Sequence, residues 1–176
     1  MAFHETRTLL RMSRRALSLL GSCALIATSM IGCSTPIPGV SAIAPTANPS
    51  EEVSALSSDV ESARAADLDV LSPTWFGAAS DSLAKSEKLL AGGGAVESIL
   101  RNVAEGRAAL DQARTFATLS QEALPAVIKA RQDARSAGAA ELGDAYARPE
   151  EKFLELTSAV ESGSLNWARR TAPEVE

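Results

Sequence analysis

The chain has 176 residues, 45% of them apolar but only 4% aromatic, and a formal net charge of −5. That length holds one modest domain, and an apolar fraction rich in alanine favours helices over a sheet. An acidic balance argues against nucleic acid, which needs clustered lysine and arginine, and gives no polybasic attraction to anionic lipid head groups.

The first element is a leader. Arg11, Arg14 and Arg15 precede an uncharged, mostly apolar run from Ala16 to Ile31, and Gly32-Cys33 follow. Basic region, apolar region and small residue in that order make a secretory signal. The run covers residues 16 to 31, short of the ~20 that a membrane-spanning helix needs. Ser13-Arg14-Arg15-Ala16-Leu17 resembles a twin-arginine export signal; the alternative is the general secretion route, in which the arginines only set orientation.

Met30-Ile31-Gly32-Cys33 resembles the bacterial lipobox, with methionine where leucine is usual. The resemblance implies cleavage between Gly32 and Cys33 and lipid, including palmitate, on Cys33. Residues 1–32 are then the signal peptide. Ser34 stands where enteric lipoproteins held at the inner membrane carry aspartate, so the resemblance points to the outer membrane, facing the periplasm. With Arg7, Arg11, Arg14, Arg15 and Glu5 removed, 13 of the 17 basic and 21 of the 22 acidic residues remain, and the body carries about −8. Membrane attachment then rests on the lipid.

The leader also takes most of the reactive chemistry with it. Cys23 lies in the apolar run, and His4 is the sole histidine. The remaining cysteine, Cys33, has its sulfur used in a thioether. No disulfide, thiol nucleophile or histidine-dependent catalysis is left, and most zinc sites and histidine-ligated haem are excluded.

Residues 33–50 read as a linker. Pro36, Pro38, Pro45 and Pro49 interrupt any helix, and a proline-rich chain extends by ~3.1 Å per residue. Ser50 is the expected N-cap of the first helix, with Glu51-Glu52 at its positive end and Val53, Leu56, Val60 and Ala63 as one apolar stripe. A second helix starts at Ser72-Pro73, buries Trp75, Phe76, Ala79, Leu83, Leu89 and Leu90, and stops at Gly92-Gly93-Gly94.

The longest segment follows. Val96, Val103, Leu110, Ala117 and Leu124 stand seven apart, with Ile99, Gly106, Ala113 and Ser120 as a companion row. Large residues on one row and small ones on the other make a coiled-coil-like seam that a neighbouring backbone can approach closely. Pro125 predicts a kink or short break near Gln121, after which the stripe resumes to Gly138. Leu142, Tyr146, Pro149, Phe153, Leu156 and Val160 form a further seam, bent or begun by Pro149 and closed by Gly163. Leu165 to Glu176 opens a last helix, too short to be stable unless it docks. Leu71, Trp75, Leu83, Leu89 and Gly92 repeat in spacing as Leu142, Tyr146, Leu154, Val160 and Gly163, which suggests a duplicated helical hairpin over residues 51–176. The expected architecture is all-α: antiparallel hairpins in an elongated bundle with a long, kinked central helix.

Ala130 to Ala139, Pro149 to Phe153, and Val160 to Gly163 with Ala168-Arg169-Arg170 resemble the alanine-rich helical segment of certain bacterial envelope lipoproteins. In many of those the segment precedes an OmpA-like peptidoglycan-binding domain. The resemblance spans roughly residues 67–170. Nothing in the chain offers that domain's strands or its Asp and Arg ligands, so peptidoglycan binding does not carry over. The stop soon after Arg170 suits a short or truncated member.

Catalytic signals are missing. Glu51-Glu52 and Glu150-Glu151 are adjacent, and neighbours on a helix point about 100° apart, so both pairs read as solvated faces. Gly92-Gly93-Gly94 lacks a preceding strand and reads as a turn rather than a phosphate cradle. The sequence therefore predicts a non-enzymatic, lipid-anchored envelope protein with no cofactor or metal, whose helical body is an interaction or spacer module with an envelope protein as partner. The alternative is a lipoprotein that holds a hydrophobic ligand in a groove between helices. Trp75, Phe76, Tyr146, Phe153 and Trp167 are the candidate groove or partner contacts.

Overall fold

A computed structural model describes residues 36–175. The calls on Cys23, Gly32 and Cys33 lie outside the described residues. Every regular element within them is helical: α1 (Pro49–Ala65), α2 (Leu68–Leu71), α3 (Pro73–Ala91), α4 (Val96–Ala123), α5 (Pro125–Ser136), α6 (Asp144–Glu161) and α7 (Leu165–Thr171), with 3₁₀ turns at Ala139–Leu142 and Ala172–Glu174. The fold is all-α.

The cap of α1 lies two residues earlier than expected. Asn48 is the N-cap; its Oδ1 accepts from the Ser50 amide at 3.1 Å and its Nδ2 donates to Glu51 Oε1 at 2.9 Å. Pro49 occupies the first helical position, where its missing N–H costs nothing, so it belongs to the helix and not to the linker. The predicted stripe of Val53, Leu56, Val60 and Ala63 is buried as a unit. Ahead of α1, Ile37 and Ile43 pack partly buried against the core. That stretch is therefore held on the body rather than free of it.

α4 is the element around which the body packs. It touches all six other helices, most extensively α3. Its large row is buried at Val103, Leu110, Ala117 and Leu124, and its small row at Ile99, Gly106, Ala113 and Ser120. Val96, 45% exposed, is the exception: it is the first residue of the helix, ahead of the covered stretch. The small row does the work expected of it at Gly106. A Cβ placed there would stand 2.8 Å from Leu56 Cδ2 on α1 and 3.4 Å from Ser82 Cβ on α3. Two neighbours thus close on α4 at one residue. Ser120 does more than make room: its buried Oγ donates to the Leu71 carbonyl at 2.9 Å, satisfying an end-of-helix acceptor that water cannot reach.

The expected kinked central helix is two helices. α4 ends at Ala123, Leu124 adopts φ −130° and ψ 41°, and Pro125 is the first residue of α5. Proline disfavours the helical region for the residue before it and carries no N–H to continue the ladder. Pro149 does not begin a helix. α6 begins at Asp144 and runs through it. Leu142, expected in the α6 seam, lies in a 3₁₀ turn and is 66% exposed. The buried part of that seam is Phe153, Leu156 and Val160, and Thr157 beside them is buried as well.

α3 and α6 end alike. Gly93 and Gly163 take left-handed φ of 66° and 80°. The next amide reaches back to the helix at 2.7 Å in both cases, Gly94 N to Leu89 O and Ser164 N to Ala159 O, the closure that a left-handed glycine permits. The offset between these two ends is 70 residues, one fewer than the spacing of the sequence repeat. α7 docks through Ala168 and Ala172, which are buried, with Leu165 half-buried.

Candidate functional site

A cavity of about 180 Å³ lies between α5 and α6. Val127, Ala130, Arg131 and Ala134 come from one helix, Tyr146, Pro149, Glu150 and Phe153 from the other, and Val175 completes the lining. The spacing follows from helix geometry, since residues three and four apart share a face. Two of the sequence-predicted contacts, Tyr146 and Phe153, meet here. Trp75 and Phe76 do not line the cavity; they sit at the start of α3, where the Trp75 ring stacks on Phe116 at 6.3 Å and Phe76 lies under the Arg64 guanidinium at 5.3 Å. Trp167, 41% exposed, borders a shallow depression with Leu154, Ala159, Glu151 and Glu155.

Arg131 organises the cavity wall. Its side chain is only 10% exposed. Its Nε donates to both oxygens of Glu150, at 3.0 and 3.1 Å, and its Nη1 stands 3.6 Å from Asp67 Oδ1. The guanidinium lies 5.0 Å above the Phe153 ring, a cation–π contact that gains from desolvation. Arg135, one turn further along α5, donates to the same Asp67 oxygen at 3.3 Å. Asp67 takes a left-handed φ of 59° at the corner between α1 and α2. Asp tolerates that conformation better than most residues, and here its carboxylate meets both arginines. Two cations and two carboxylates leave the cluster without net charge.

Glu150 corrects the reading of Glu150-Glu151 as a solvated pair. Glu151 is exposed, while Glu150 is half-buried against Arg131. Neither Arg131 nor Asp67 stood out in the sequence. The available signal was Arg131 and Arg135 four apart, one helical turn, on a helix with few apolar residues.

The Tyr146 hydroxyl is buried and has no hydrogen-bond partner. Burial raises the phenol pKa above its ordinary 10.0; Glu150 adds to the rise, against the lowering pull of Arg131 and Arg135. The phenol is therefore a neutral donor at any physiological pH.

No three His, Cys, Asp or Glu side chains are grouped to hold a metal ion among the described residues. No helix among them is long and apolar enough to cross a membrane. No protein-family model matches the chain, and no curated protein or solved structure matches it.

Proposed function

We propose that this is a non-catalytic, lipid-anchored protein of the bacterial cell envelope whose helical body serves as an interaction or spacer module. The observation that supports the body's role is the filled seam. Leu56, Val103, Leu110 and Leu124 close around α4 with at most 1% exposure, so no groove runs along the central helix for a long hydrophobic ligand. The lipobox resemblance at Gly32-Cys33 supports the anchor.

The packing of Ile37 and Ile43 on the core sharpens the proposal. With lipid on Cys33, only the chain from there to Pro36 remains as tether, and three residues extend at most about 10 Å. The body then works close to the membrane surface, where an envelope partner must meet it. Cross-linking in intact cells, followed by detergent solubilisation and recovery of the chain, tests this. A reproducible envelope-protein adduct is expected; recovery of the uncross-linked chain alone would contradict the interaction role.

The alternative, a hydrophobic ligand between helices, has the α5–α6 cavity in its favour. At about 180 Å³ that space falls below the ~300 Å³ at which ordinary ligand pockets begin, and it is too small for an acyl chain.

A further inference from the structure

We infer that the α6–α7 surface around Trp167 is an interface between two copies of this chain, related by a two-fold axis that sets Arg170 of each against Glu151 of the other. The inference rests on the interaction role proposed above and names the partner.

Trp167 is the largest exposed apolar side chain among the described residues. It shares a shallow depression with Leu154, Ser158, Ala159 and Ser162. An aromatic ring left in water beside a hollow is surface whose burial is favourable.

The charges decide what covers it. Ala168 is buried against the body, so Trp167 and Arg170, three residues apart, share the outward side of α7. Arg170 is exposed and makes no ion pair among the described residues. α6 lines the same depression with Glu151 and Glu155. Glu155 is taken by Lys152 at 2.6 Å, while Glu151 has no cation of its own among the described residues. One patch thus carries an aromatic ring, an unmatched cation and an unmatched carboxylate. Such a patch is complementary to itself. A two-fold rotation brings each Arg170 to the other copy's Glu151 and lays each ring against the opposite hollow. A basic partner surface would be repelled by Arg170, and an acidic one by Glu151 and Glu155. Tryptophan and arginine are also the side chains that dominate interface energies.

Sedimentation equilibrium of the full chain in density-matched detergent tests this, with helix content followed by circular dichroism. A monomer–dimer equilibrium is expected. Trp167→Ala should raise its Kd by at least about thirtyfold, the loss expected of a central interface residue. Arg170→Glu and Glu151→Arg should each return the chain to monomer. The two changes in one chain should restore the dimer, because both contacts then form again with their signs exchanged. All three positions are exposed, so the variants keep their helices. A dimer indifferent to Trp167→Ala, or a double variant no better than the single ones, would overturn the inference. So would a parent chain that is monomeric throughout the concentration range. If that monomer still forms an envelope-protein adduct in cells, the interaction role stands without the self-association; if it forms none, both fall.

Discussion

Glu161, the last residue of α6, caps α3 through Ser72. Its Oε1 accepts from Ser72 Oγ at 2.6 Å and from the Trp75 amide at 3.1 Å, and its Oε2 accepts from the Thr74 amide at 3.0 Å. Ser72 occupies the capping position but makes no cap bond of its own; it hands that role to a carboxylate 89 residues away. A negative charge suits the N-terminus of α3 and is misplaced at the C-terminus of α6. The contact across helices accounts for glutamate at that end.

Removing this carboxylate should therefore loosen two helices at once. Glu161→Ala leaves a fully buried serine hydroxyl and two amides without their acceptor, and a buried donor left unsatisfied costs about 1–3 kcal/mol. A loss of about 2–3 kcal/mol in urea unfolding is expected, with Glu161→Gln losing about half as much. An Ala variant as stable as the parent would show that the cap contributes nothing.

The α4 seam makes a paired prediction. Leu110→Ala should cost about 2–5 kcal/mol, because the side chain is 1% exposed and its loss leaves a cavity. Gly106→Leu should cost about 3 kcal/mol for the opposite reason, since even a Cβ there stands 2.8 Å from a fully buried Leu56. Equal stability of the leucine variant and the parent would mean that α1 does not close on α4 as described.

Tyr146 is the sole tyrosine, so ultraviolet titration reads it alone. It should ionise above the ordinary 10.0, held neutral first by burial. The folded chain keeps this proton after the unfolded chain has released it. Its contribution to stability is thus complete below pH ~10 and is lost as pH rises through the window between the unfolded and folded values. Tyr146→Phe removes an unpartnered buried hydroxyl and should leave stability unchanged or slightly raised. A clear loss on that substitution would point to a hydrogen bond at the hydroxyl.

What the sequence made legible was local and periodic. The two rows of α4, the stripe of α1 and the glycine-terminated ends of α3 and α6 follow from spacing alone, because burial of a helix face repeats every three to four residues. Pairings over distance carry no such period. Arg131 meets Glu150 across 19 residues and Ser72 meets Glu161 across 89, and nothing in the local pattern selects those partners. The proline positions were visible but their effects were not. Pro125 divides the central segment because Leu124 before it leaves the helical region and Pro125 starts α5, whereas Pro149 sits within the second turn of α6, which runs through it.

The last helix gives a prediction about local stability. α7 has only seven residues, too few to persist alone, and it is held by Ala168 against the body. Ala168→Glu should release it, seen as loss of hydrogen-exchange protection confined to residues 165–172. Unchanged protection would mean that the docking is not made through Ala168.

Anchoring through Cys33 is the claim on which the rest of the functional account depends, and fatty-acid labelling of the chain in bacterial cells tests it most directly. The account predicts labelled protein in the membrane fraction with Cys33 as the mature amino terminus, loss of label and release from membranes in Cys33→Ala, and no effect of Cys23→Ala. Undiminished labelling in Cys33→Ala, or a mature terminus elsewhere, would contradict it.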